Sequence, residues 1–151
     1  MKKCILLSFV VIFTSNLIAQ NSKNYWRLAS DMEIRAASER TIIPQKYKTF
    51  QLTESDFKSL LFTAPNEDNI SLRKSPLVIE LPLPDGTVQK FRIVEASIMA
   101  PELAAKFSEI KTFNVEGVDD PYANGKLDWT AFGFHGMIRR PSGDFFVDPY
   151  S

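Results

Sequence analysis

"LVIELPLPDGTVQKFRIV", residues 77 to 94, decides how the chain is read. Two apolar-rich runs, Leu77 to Leu83 and Val88 to Val94, flank Pro84-Asp85-Gly86-Thr87. Proline presets one turn dihedral and glycine supplies a positive φ, so the stretch predicts a β-hairpin. Downstream, Pro101 to Phe107 predicts a helix of about two turns, with proline at its first position and Glu102 near the positive end of the dipole. Ile110 to Val118 alternates as a half-buried strand does, Asp119 to Gly125 reads as its loop, and Lys126–Thr130, Phe134–Arg139 and Phe145–Val147 read as further strands.

Upstream, Tyr25-Trp26-Arg27-Leu28 suits a short strand or anchor. Thr41 to Leu52 is strand-like, and Pro44 restricts it to an edge, a bulge or two shorter pieces. Thr53-Glu54-Ser55-Asp56 reads as a helix start, a variant capping box with Leu52 and Phe57 at the staple positions. Phe57, Leu60 and Leu61 give that helix one apolar stripe, and it should end before Ala64-Pro65-Asn66. Residues 65 to 75 read as a polar connection. The expected fold is α+β: a mainly antiparallel β-sheet with two short helices, about 54–62 and 101–107, in one domain over 25–151.

The first residues differ from the rest. Lys2 and Lys3 precede an apolar run from Cys4 to Phe13, and the small residue Ala19 follows. The run is shorter than the ~18 residues of a membrane-spanning helix, so 1–19 reads as a secretory signal peptide cleaved after Ala19. Residues 20–24 would form a flexible start, and the protein would be secreted. A lipidated Cys4 fits poorly, because a lipoprotein cysteine follows the apolar region.

Cleavage would remove the one cysteine and two lysines, leaving 16 basic against 18 acidic residues. The mature chain then has no disulfide and no thiolate ligand, and nothing in its charge attracts nucleic acid or an anionic membrane. The 151-residue length and 44% hydrophobic content suit one packed core.

Few residues invite chemistry. His135, in "GFHGMI" at 133–138, is the one histidine. With no second histidine, no mature cysteine and no His-Glu-x-x-His helix, it reads as a structural strand residue, or as a contact to a second polypeptide. Asp119, Asp120, Asn124 and Asp128 fall within ten residues and invite a calcium loop. Aligning Asn124-Gly125 with the helix-loop-helix pattern puts Tyr122 and Ala131 where acidic ligands belong, which favours a turn held by Asx hydrogen bonds. Glu95, Glu102, Glu109 and Glu116 recur every seven residues, but across a strand–helix–strand change that removes the meaning of the period. Ser97 and Ser142 lie in no Gly-x-Ser-x-Gly setting, and no glycine-rich phosphate loop occurs.

From residue 91 to 150 the order of pieces resembles the N-terminal pro-region of secreted bacterial reprolysin-like zinc metalloproteases. The pieces are F-x-(I/V)-x-E from Phe91, M-x-P-E-L-A from Met99, "GVDDP" from Gly117, "GFHGMI", "PSG" and "DPY", with "ERTIIPQKYKTFQL" and "SPLVIELPLPDG" upstream. The resemblance implies an intramolecular chaperone and latency module, without turnover of its own, whose partner is a metalloprotease catalytic domain in cis or in trans. Zinc would belong to that domain, whose His-Glu-x-x-His-x-x-Gly-x-x-His pattern is not in this chain, and no cofactor is expected here. The chain would then be leader and pro-region alone, as a truncated gene, a fragment or a free-standing relative. Some members of the wider class block zinc with a pro-region cysteine, a route closed here by the position of Cys4. Others use an aspartate in a Phe-x-Gly-Asp motif, to which Pro141-Ser142-Gly143-Asp144 is the nearest match, making Asp144 a candidate zinc-blocking carboxylate. Alternatives are a stand-alone secreted protein-binding or adhesion module and, last, a small secreted hydrolase.

Overall fold

The computed structural model describes residues 24–30, 33 and 44–150. The expected leader, its cleavage site, the flexible start apart from Asn24, and positions 41–43 of the strand-like run lie outside the described residues. Six antiparallel strands form one sheet in chain order: β3 (Val78–Pro82), β4 (Val88–Glu95), β5 (Lys111–Gly117), β6 (Asn124–Thr130), β7 (Gly133–Arg139) and β8 (Phe145–Val147). A second sheet pairs β1 (Trp26–Ala29) with β2 (Thr49–Leu52), and two helices, α1 (Glu54–Leu61) and α2 (Pro101–Lys106), complete a mainly β, α+β domain.

Each strand of the large sheet pairs with its neighbour in sequence, so alternation carries over from one strand to the next. Ile79 faces Phe91 across β3–β4, Ile93 faces Val115, Phe113 faces Leu127, Trp129 faces Phe134 and Ile138 faces Phe145. All ten are buried in one cluster. Burying a side chain of this size contributes about 1.5–3 kcal/mol, so the shared inward face is the main stabilising feature of the fold.

The sheet curls into a half-barrel around that cluster. On the inward rows Gly125 stands between Val115 and Ile138, and Gly136 between Leu127 and Val147. A side chain at Gly125 would meet the Met137 carbonyl oxygen and Ile138 Cδ1, and one at Gly136 would stand 2.8 Å from Leu127 Cδ2. Inward glycines let neighbouring strands close over large side chains where the sheet bends.

Two of the hairpins use one turn. In Leu83-Pro84-Asp85-Gly86 the Gly86 N–H donates to the Leu83 carbonyl at 2.9 Å, and in Arg140-Pro141-Ser142-Gly143 the Gly143 N–H donates to Arg140 at 3.0 Å. Proline holds the first central position in both, and the two glycines take φ of 96° and 117°. The Asp85 carboxylate accepts from the Thr87 amide (2.9 Å) and hydroxyl (2.7 Å), which tightens the first turn.

The concave face is closed by α1 and the small sheet. Phe57 of α1 packs edge-on to Phe134 (centroids 5.2 Å apart, planes at 89°) and against Trp26 (5.3 Å). The Trp26 indole N–H donates to the Glu80 carbonyl at 2.8 Å, tying β1 to edge strand β3. Phe57 and Leu61 are buried and Leu60 is partly buried against the same core, as the stripe required.

The expected capping box does not form as drawn. Thr53 makes no side-chain cap hydrogen bond, and its backbone N–H, the group a box would engage, donates to the Tyr25 carbonyl at 3.0 Å. The β1–β2 register puts Tyr25 beside it. The strand-like run also contracts, with 44–48 outside any strand and the ladder confined to Thr49–Leu52, opposite a β1 of only four residues. β6 starts at Asn124, inside the expected loop, because Asn124 and Gly125 pair with β5 at Glu116 and Val115.

The connection from α1 to β3 crosses the end of β4. Its Asn66 forms a parallel bridge to Glu95, a 3-10 turn at Leu72–Lys74 follows, and Arg73 reaches Glu116 at 3.2 Å. The buried Ser75 hydroxyl donates to the Ile93 carbonyl at 2.6 Å, next to Pro76, which has no N–H to offer.

Candidate functional site

The register of β6 and β7 sets Asp128 directly opposite His135. Inward positions alternate with Leu127, Trp129, Phe134 and Gly136, so both side chains stand on the outer face, where they are about a third exposed. His135 Nδ1 lies 3.1 Å from Asp128 Oδ1. A carboxylate on one ring nitrogen fixes the orientation of an imidazole, but nucleophilic catalysis needs a hydroxyl or thiol on the other side. The neighbouring hydroxyl across the sheet, Thr112, lies beyond Asp128 and donates to the Ala96 carbonyl. Asp128 is the only hydrogen-bond partner of His135 among the described residues.

The acidic stretch at 119–128 is divided between elements. Asp120 Oδ1 accepts from the Tyr122 amide at 3.1 Å, the Ala123 amide donates to the Asp120 carbonyl, and the Asn124 amide group donates to the Tyr122 carbonyl. The first is an Asx-turn bond, and the second closes a backbone turn over Asp120–Ala123. Asp119 immediately precedes that turn, whereas Asp128 is on β6, turned to His135. Among the described residues no three His, Cys, Asp or Glu side chains come together as a metal cluster. Asp144 is exposed, between the Arg140–Gly143 turn and β8.

The seven-residue carboxylates are also dispersed. Glu95 pairs with Lys111, both largely buried, and Glu116 pairs with Arg73, while Glu102 and Glu109 are exposed. The Lys111 ammonium stands 5.2 Å from the centre of the Phe62 ring, as does Lys58, which also lies 5.4 Å from Trp129. Such cation–aromatic contacts fix side chains at the sheet rim.

The described residues enclose a groove of about 450 Å³. It opens between the small sheet (Trp26, Phe50, Leu52) and the β7–β8 end of the large one (Phe134, Val147, Pro149). Phe132, 86% exposed in the two-residue β6–β7 turn, stands on its rim. Arg27, Glu33, Glu54 and Asp148 supply its charges. No local pattern announces this groove, because its two walls are brought together by the Trp26 contacts.

No helix among the described residues is long and apolar enough to cross a membrane. Comparison of the chain with family models, with curated proteins and with solved structures finds no match.

Proposed function

We propose that the chain is a pro-region of a secreted zinc metalloprotease precursor, assisting the folding of a metzincin catalytic domain and holding it latent, with no turnover of its own. The observation that carries this reading is where the shared wording falls. "GVDDP" lies at the β5–β6 connection, "GFHGMI" is most of β7, "PSG" is the β7–β8 turn and "DPY" follows β8. The resemblance therefore tracks one contiguous sheet, the unit a folding template would need to keep intact. Cover of a catalytic cleft would come from the sheet's open end, since β8 has β7 as its one ladder neighbour among the described residues.

The test is addition of the purified chain to its cognate protease. It should slow peptide hydrolysis and raise the refolding yield of the denatured catalytic domain. A chain that does neither sinks the proposal. Asp144→Ala separates the two routes to latency: inhibition that survives the change is steric, and inhibition that disappears assigns the zinc-blocking role to that carboxylate.

A second reading, a stand-alone secreted protein-binding module, is favoured by the apolar-floored groove, which such a module would also use. Retention of a binding partner other than a protease, with no effect on protease refolding, would select it.

A further inference from the structure

We infer that the groove between the β1–β2 sheet and the β7–β8 end of the large sheet binds an extended peptide segment in which apolar and basic side chains alternate. This goes beyond the pro-region reading and does not depend on the partner being a protease.

The groove's volume, about 450 Å³, lies within the ~300–1,000 Å³ range of ligand sites. Its floor is formed by Trp26 and Phe134, each nearly buried, and its rim carries the exposed Phe132. Covering that ring removes apolar surface from water, the general driving force for docking.

Charge chooses among apolar partners. Among the described residues the lining carries three carboxylates, Glu33, Glu54 and Asp148, and one guanidinium, Arg27. That guanidinium is already engaged, donating to Gln51 Oε1 at 2.6 Å and lying 3.8 Å from Glu33. The Ser30 amide and Arg27 hold the Glu33 carboxyl below its ordinary range, so this pair stays ionised and neutral in sum. Glu54, at the start of α1, and Asp148, just after β8, are exposed and have no ion-pair partner among the described residues. A cationic side chain suits both.

An extended chain puts successive side chains on opposite faces. One set can rest on the Trp26–Phe134 floor while the other reaches the carboxylates. Pro149 has no N–H and offers such a segment no backbone donor, so the side chains of the groove carry the contact at that point.

The test titrates the purified full chain into three labelled, end-capped octapeptides at physiological salt: alternating Lys and Val, alternating Glu and Val, and alternating Lys and Gly. The Lys/Val peptide should bind saturably, with a Kd on the order of 10⁻⁵ M, and the other two at least about tenfold more weakly. Amide shifts of Trp26 and Gly133 should move during the titration. The double variant Glu54→Lys, Asp148→Lys and the single variant Phe132→Ser should each weaken binding by about fivefold or more, and Tyr122→Ser, outside the groove, should not. Equal binding of the Lys/Val and Lys/Gly peptides, shifts confined to another face, or no saturable binding would overturn the inference. The shift map on the unaltered chain keeps the test decisive if a variant fails to fold.

Discussion

Gly125 on β6 lies directly opposite Ile138 on β7, and its missing side chain leaves the space that Ile138 Cδ1 and the Met137 carbonyl occupy. The backbone oxygen cannot rotate away, so Gly125→Ala forces the two strands apart and should cost at least about 3 kcal/mol. Gly136→Ala meets only the end of Leu127, which can turn, and should cost about 1 kcal/mol. Urea denaturation of both variants checks the order. Equal costs would mean that the curl tolerates a side chain at either row.

Ser75 offers a different contrast. Its hydroxyl is buried and satisfies the Ile93 carbonyl, so Ser75→Ala leaves a buried acceptor without a donor and should cost about 1–3 kcal/mol. Ser59 donates to the Ser55 carbonyl at an exposed helix position, and Ser59→Ala should change stability by less than about 0.5 kcal/mol. The same denaturation experiment reads both.

Asp85 should titrate below the ordinary aspartate range. Its hydroxyl and amide bonds from Thr87 favour the ionised form, with a small opposing contribution from desolvation. A folded-state pKa lowered in this way adds stability that is present above the unfolded pKa and is lost as pH falls through the folded one. NMR titration of the Asp85 carboxyl in the native chain and in Thr87→Ala tests this: the variant, which keeps the amide bond, should move back toward the ordinary value, and an unmoved midpoint would remove the Thr87 hydroxyl as a cause.

The His135–Asp128 pair should matter little to stability. Both side chains face solvent, and cross-strand pairs of this kind contribute about 0.2–1 kcal/mol. A double-mutant cycle with His135→Ala and Asp128→Asn should return a coupling in that range. His135→Ala should also leave the chain with no bound zinc, as elemental analysis would show.

Much of the architecture was legible because turns and alternation are local signals. Pro84-Asp85-Gly86 and Pro141-Ser142-Gly143 mark hairpins by themselves, and the stripe at Phe57, Leu60 and Leu61 sets the helix end within a residue. Contacts between distant segments were not legible. Nothing near Trp26 announces that it pairs with Leu52 or that its indole reaches Glu80. The Thr53 cap was misread for the same reason, since the carbonyl of Tyr25, just before β1, engages the Thr53 N–H. The Asp128–His135 contact follows from the two-residue turn at Ala131-Phe132, whose register alternation alone does not give. The candidate groove depends on all of these distant contacts.

The neighbour-to-neighbour order of β3 through β8 has a kinetic consequence. Each ladder in that sheet closes between strands adjacent in sequence, so the search for partners is short and the meander can zip strand by strand. Trp26 must instead find Glu80 across a separation of 54 residues, a closure whose entropy is met only once β3 is in place. In a stopped-flow experiment Trp129, on β6, should therefore report an early burial and Trp26 a later one, the small sheet docking onto a half-barrel already formed.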